Sequence, residues 1–232
     1  MAFSNPSKKG RFLLRAHLTG VCPRSEQLIE ITRAAERGCA SQAELDDAFK
    51  RDVISLVELQ LDAGLDLVVD GQLNWQDLFR PFSKLLTGIE LGGLSRWFDN
   101  NTFYRKPVVT EKVRLASSSL GAYFRGDLLP STVRKKAILP GPYTFAAMSQ
   151  NSAYASFADL VDDLAHALSN CLRELVKAGY EYFQFNEPCL SLKNTSKDQL
   201  EVAKNAYKVC TKGCSAKTCL HVYFGDASHA ID

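Results

Sequence analysis

No stretch of this sequence stays apolar for the about 18 residues that a membrane-crossing helix needs. The polar, basic start MAFSNPSKKGRF has no apolar segment behind it, so a secretory leader is not expected and a cytoplasmic location is. Charge of one sign is also lacking. A net charge of +2 over 232 residues gives no basic face for nucleic acid and no electrostatic pull toward a membrane. A disulfide framework is missing too: seven cysteines are an odd number spread along most of the chain, which suits reduced thiols. Cys210, Cys214 and Cys219 fall close together in CTKGCSAKTC, but no histidine or fourth cysteine completes a compact zinc finger, and they read as helix-end and strand cysteines. There is no repeat, low-complexity tract or linker. Residues 1–232 therefore read as one domain, large enough for a sizeable core.

What is present is an alternation of strand-like and helix-like segments. RFLLRAHLTG is strand-like and is followed by SEQLIEITRAAERG, a helix with a Ser25 cap and a stop at Gly38. The next helix begins at Ser41 with Glu44 at the capping-box position, and LDLVVDG then reads as a strand buried on both faces. KPVVTEKV, KKAILPGP, YEYFQFNEP and KTCLHVYFG are further strands. A long amphipathic helix from Ser156 to Gly179 and another beginning at Ser196 lie between the later ones. Such alternation predicts a parallel α/β sheet. The glycine-rich phosphate loop of an open doubly wound sheet is absent after the first strand. The expectation is a (β/α)8 barrel, incomplete at its C-terminal side: six strands are found where eight are needed, which leaves roughly two βα units to a longer natural chain or a partner.

Polar residues gather where the strands end, which in a barrel is the active-site face. Asp70 and Gln72 close one strand, with Asn74 a candidate cap for a helix carrying Trp75 and Asp77. Trp97, Asp99 and Asn101 sit in LSRWFDNNTFYRKPVV, read as a loop whose aromatics and amides suit a planar heterocycle. LPGPYTFAAMS offers a helix N-terminus for an anion, or a plain tight turn. Asn186 and Glu187 point to opposite sides of the barrel wall, so one of them faces the pocket. His221 with Asp226 is a candidate acid/base or ligand pair, and His17 on the first strand faces the same pocket.

Taken in order, HLTGVCPRSEQL, DLVVDGQLNWQD, RWFDNNTFYRKPVV, ILPGPYTFAAMS, YFQFNEPCL and HVYFGD resemble the cobalamin-independent methionine synthase family, particularly its short single-barrel relatives. The resemblance implies a barrel that moves a methyl group from a folate-like or corrinoid donor to a thiol. In the catalytic members zinc activates that thiol. Several family positions differ here. The zinc-binding His-x-Cys reads His221-Val222-Tyr223. The Gly-Glu pair that holds an amino acid reads Gly71-Gln72, the Asp-Glu-Pro reads Asn186-Glu187-Pro188, and a Gly-Ser reads Gly20-Val21. WFDNNTFY and YFGD look more like the zinc-free barrel of long members. The resemblance thus places Trp97, Asp99 and Asn101 at the heterocycle, and Gln72, Asn186 and Glu187 with His17 at the acceptor. His221 and Asp226 take the catalytic role. Cys219, two residues before His221, offers a shifted Cys-x-His pair for zinc, yet the expectation is no stoichiometric metal. A second class of function is a non-catalytic barrel that docks on a zinc-bearing homologous barrel. A third is an enzyme whose acceptor lacks an ammonium group. A small molecule is the expected partner, with a corrinoid protein as an alternative methyl source.

Overall fold

A computed structural model describes residues 15–116, 120–192 and 195–228. In chain order the elements are α1 (Glu26–Glu36), α2 (Gln42–Asp62), a short α3 (Phe82–Leu85), β1 (Leu86–Arg96), β2 (Phe103–Leu115), α4 (Leu120–Tyr123), β3 (Lys135–Pro140), α5 (Pro142–Ala147), β4 (Gln150–Asn151), α6 (Phe157–Lys177), β5 (Tyr180–Asn186), α7 (Lys197–Thr211) and β6 (Lys217–His221). The long helices begin where serine can satisfy the exposed amides of a first turn. Ser25, Ser41, Ser156 and Ser196 each accept such an amide, and Ser41–Glu44 and Ser196–Gln199 close full capping boxes.

Among the described residues there are two small sheets. One is parallel, in the order β3-β5-β6, with Pro140 opposite Asn186 and Asn186 opposite His221. The chain before it extends this sheet without forming a full ladder. Val68 bridges Lys135 in parallel, the Asp66 amide donates to the Ala16 carbonyl (2.9 Å), and the Cys22 amide donates to the Gly71 carbonyl (2.9 Å). Five of the strand-like stretches therefore lie side by side in sequence order, although Arg11 to Leu14 of the first stretch fall outside the described residues. Among the described residues the sheet does not close on itself.

The sixth stretch is elsewhere. KPVVTEKV belongs to β2, which pairs antiparallel with β1 as a long hairpin and carries the two-residue β4 on its other side. The segment read as an aromatic loop is the tip of that hairpin: Ser95 pairs with Tyr104 and Arg96 with Phe103, so only 97–102 turn. KPVVTEKV reads as a strand through its β-branched Val-Val-Thr run, whereas its partner LTGIELGGLSR is broken by glycines and does not. Asn74 caps nothing. Its Nδ2 donates to the Ala122 carbonyl (2.7 Å), and Asp77 instead accepts the amides of Phe79 (2.9 Å) and Arg80 (2.7 Å).

The hairpin is held down by aromatic packing. Phe79 contacts the rings of Trp97, Tyr104 and Phe145 at 5.6, 5.5 and 5.0 Å, in a buried cluster that also takes in Trp75 and Phe82 and continues into α6. Such tilted and edge-on rings each add about 0.5–1.5 kcal/mol beyond their burial. Two hydroxyls fix the edges. Tyr104 donates to the Met148 carbonyl (3.0 Å), while Tyr154 accepts the Val113 amide (2.6 Å) and donates to Asp163 (2.7 Å). The hairpin therefore stands over the C-terminal ends of β5 and β6.

Candidate ligand-binding site at the strand ends

Side chains alternate across a strand, so β5 sends Phe183 and Phe185 toward the helices and Gln184 and Asn186 toward the other face. In register with them, β3 contributes Lys136 and β6 contributes Cys219 and His221 to that inner face. The result is a connected polar network. The Lys136 ammonium donates to the Leu18 carbonyl (2.8 Å) and Gln184 Oε1 (2.6 Å), and lies 2.9 Å from His17 Nδ1. Gln184 Nε2 lies 2.7 Å from the Thr19 carbonyl, 2.7 Å from Asn186 Oδ1 and 3.1 Å from His221 Nδ1. His221 Nδ1 is also 3.0 Å from Asn186 Oδ1.

Lys136 is 1% exposed, and no carboxylate appears among its hydrogen-bond partners. Burial lowers its ammonium from the usual range to about 8. Burial and the charge of Lys136 together hold both His17 and His221 below the ordinary imidazole value, so both are neutral at pH 7. Above this floor lies a cavity of about 360 Å³, lined by Thr19, Gln72, Trp97, Tyr104, Asn186 and His221 among others. The volume suits a small organic ligand. A larger cavity of about 970 Å³ runs past Phe49, Arg125, Lys135 and Tyr180. It opens where β3 and β5 begin, away from the strand ends, and none of the candidate site residues line it.

Gln72, Trp97, Asn186 and His221 thus meet at one cavity, with Tyr223 against His221 at 4.9 Å between ring centres. Gln72 stands in a left-handed backbone conformation (φ 52°), and its Nε2 donates to the Ile138 carbonyl (3.3 Å). That fixes the amide, and leaves Gln72 Oε1 as a buried acceptor without a protein donor. Asp70, by contrast, turns back on the backbone and accepts the amides of Gln72 (3.0 Å) and Arg125 (2.8 Å). His17 is one layer deeper, beside Lys136. Asp99 and Asn101 are exposed at the hairpin turn and do not line the cavity. Asp226 is exposed and accepts the Ser228 amide (2.9 Å), so it is not the partner of His221; Asn186 is.

Glu187 faces the other way, as the strand alternation requires. Its carboxyl accepts the amides of Tyr143 (3.0 Å) and Thr144 (2.7 Å) at the start of α5. The anion expected at that helix N-terminus is the protein's own side chain. Burial outweighs these bonds and pushes the carboxyl up to about 7. Lys136 and Gln184 were passed over in the sequence. Gln184 carries a signal, a glutamine inside the apolar run YFQF, whereas Lys136 belongs to the lysine pair that opens KKAILP.

The zinc that the family resemblance implies does not fit these residues. Cys219 and His221 are two donors where a zinc site wants four. With its Nδ1 engaged by amides, His221 has one ring nitrogen left to offer, and burial raises the Cys219 thiol above its ordinary value, against the thiolate that zinc needs. Among the described residues no group of three or more His, Cys, Asp or Glu side chains converges.

Amides, an imidazole and an indole thus gather around one cavity at the strand ends of an α/β fold. The model of the cobalamin-independent synthase N-terminal domain matches residues 88–232. The methionine synthase of Sulfurisphaera tokodaii is 31% identical over 218 residues, 94% of this chain and 63% of that protein. That of Saccharolobus solfataricus is 31% identical over 217 residues, 93% and 64% respectively. The chain belongs to the cobalamin-independent methionine synthase family, and spans less than two thirds of the length of these relatives. The fold is shared with a B12-independent methionine synthase from Shewanella sp. W3-18-1, solved in complex with selenomethionine (TM-score 0.70, 23% identity, 81% of this chain and 55% of that one). It is shared too with a Listeria monocytogenes protein assigned as a vitamin-B12-independent methionine synthase (TM-score 0.71, 16% identity, 90% and 64%). Among the described residues no helix is long and apolar enough to cross a membrane.

Proposed function

We propose that this chain carries the small-molecule cavity of a methionine-synthase-like methyltransferase, with a folate-like methyl donor and a thiol acceptor. The observation that carries the reading is the convergence of Gln72, Trp97, Asn186 and His221 on one cavity in this family's fold. Trp97 and Tyr104 form an aromatic wall suited to a planar heterocycle, and the amides and His221 form the floor for the acceptor. His221, neutral at pH 7, takes the thiol proton as general base. The thiolate sulfur then bonds to the methyl carbon as the carbon–nitrogen bond of the donor breaks, and the donor nitrogen takes up a proton. The products are a thioether and the demethylated donor.

Gln72 and Asn186 stand where the family resemblance puts carboxylates, so the floor lacks the charge-assisted hydrogen bonds that grip an ammonium group, each worth about 1.5–3 kcal/mol. The acceptor is therefore a thiol without an ammonium group in preference to homocysteine. A second reading has a specific observation behind it: the matched family model is that of the N-terminal domain, and the donor set does not hold zinc. On that reading the chain is a binding barrel that docks on a zinc-bearing homologue. Calorimetry with 5-methyltetrahydrofolate, followed by mass-spectrometric detection of thioether formed from added thiols, separates the two. Donor binding with turnover supports the enzyme, and donor binding without turnover supports the docking barrel. Absence of any donor binding removes both.

A further inference from the structure

Lys136 lies under the cavity and does not line it, yet its position decides what the cavity presents. Its ammonium has three hydrogens and three acceptors within 2.9 Å: His17 Nδ1, the Leu18 carbonyl and Gln184 Oε1. An ammonium only donates, so the atom of Gln184 facing it must be the oxygen. The amide of Gln184 is thereby locked, and its Nε2 must face Thr19, Asn186 and His221. Two hydrogens go to the two nearest acceptors, the Thr19 carbonyl and Asn186 Oδ1, both at 2.7 Å. Asn186 is fixed in turn, with Oδ1 inward and Nδ2 left for the cavity that it lines. Asn186 Oδ1 keeps a second lone pair, 3.0 Å from His221 Nδ1. A hydrogen on Nδ1 leaves every member of the network paired, and puts the lone pair of neutral His221 on Nε2.

We infer that Lys136 is a positioning residue that, through Gln184, sets the polarity of the cavity floor: Asn186 Nδ2 donates into it and His221 Nε2 accepts from it. The ligand class that matches is a protonated thiol or hydroxyl, its hydrogen toward His221, with an acceptor oxygen toward Asn186. The inference deepens the reading given under Proposed function and rests on it for the identity of the ligand. The polarity itself belongs to the unliganded protein.

The experiment is long-range ¹H–¹⁵N NMR of histidine-labelled protein, with His221 assigned by its loss in His221→Asn. The expected wild-type spectrum shows His221 as the Nδ1–H tautomer near neutral pH. In Lys136→Met, which keeps chain length and removes the cation, Gln184 is no longer locked, and the Nδ1–H signature should weaken into a tautomer mixture. The variant should also bind 4-mercaptobutanoate, homocysteine's analogue without the amino group, about tenfold more weakly. A wild-type His221 in the Nε2–H tautomer overturns the inference even if the variant does not fold. So does an unchanged tautomer in a folded Lys136→Met. Failure of folate binding with the Nδ1–H tautomer present counts against the methyltransferase reading alone.

Discussion

Replacing Glu187 with glutamine removes a carboxyl whose titration is coupled to folding. In the folded chain Glu187 is 3% exposed and sits against the amides of Tyr143 and Thr144. Desolvation outweighs those bonds and raises the carboxyl from an ordinary 4.5 to about 7. Between those two pH values the folded state keeps a proton that the unfolded chain has lost, so stability falls as pH rises through this window. A displacement of that size amounts to about 3 kcal/mol in all, of which about 2.5 falls between pH 5 and 8. Urea unfolding of wild type and Glu187→Gln at half-unit pH steps gives the difference directly, and other titrating groups cancel in the subtraction. The variant should gain on the wild type by about 2–3 kcal/mol on going from pH 5 to 8. Parallel profiles would refute the reasoning. A wild type that gains on the variant with rising pH would also do so, since it would mean that the two amides win over burial and keep the carboxylate ionised.

Other outcomes follow from the same geometry. A Cβ at Gly141 would collide with the Glu187 carboxyl, so Gly141→Ala should cost about 3 kcal/mol in urea unfolding, and much of the loss should return in the double variant with Glu187→Ala. Phe79→Ala opens a void among Trp97, Tyr104 and Phe145 and should cost about 3–5 kcal/mol, read as a lower melting temperature. Asn186→Asp turns the cavity-facing donor into an acceptor. It should strengthen homocysteine binding about tenfold while weakening 4-mercaptobutanoate, measured by calorimetry. Zinc titration should show no stoichiometric binding to wild type and a gain in Tyr223→Cys. Tight wild-type binding lost in Cys219→Ala would instead mark a shifted Cys-x-His site.

The parallel strands and their helices were legible because each boundary has a local cause: a serine cap, a terminal glycine, an apolar run of strand length. The hairpin was not. The Val-Val-Thr run of its β2 strand marks a strand, and nothing local distinguishes a strand that pairs with its sequence neighbour from one that pairs across the sheet. Of the candidate site, Gln72, Asn186 and His221 are strand-end residues in the sequence and Trp97 belongs to an aromatic segment, and the four line one cavity. Asp99 and Asn101 come from that same segment and Asp226 from the end of the last strand, but turn geometry carries all three to the surface, where position along a chain gives no direction. Lys136 escaped notice because a lysine pair at a strand start reads as a solvated edge. Only the register with β5 shows that Lys135 reaches the Gly126 carbonyl while Lys136 turns inward.

The cavity is assembled from two pieces of chain with separate reasons to be where they are. Its floor comes from parallel strands whose register is tied to the helices behind them, so a change there disturbs the whole sheet. Its roof, Trp97 with Phe103 and Tyr104, comes from a hairpin anchored by its own aromatic base. Substitutions at the hairpin tip alter the size and shape of the entrance without touching the hydrogen-bond polarity below, whereas the floor changes only through side chains that keep the strand register. The shape of the cavity and the polarity of its floor are thus set by two separate pieces of chain.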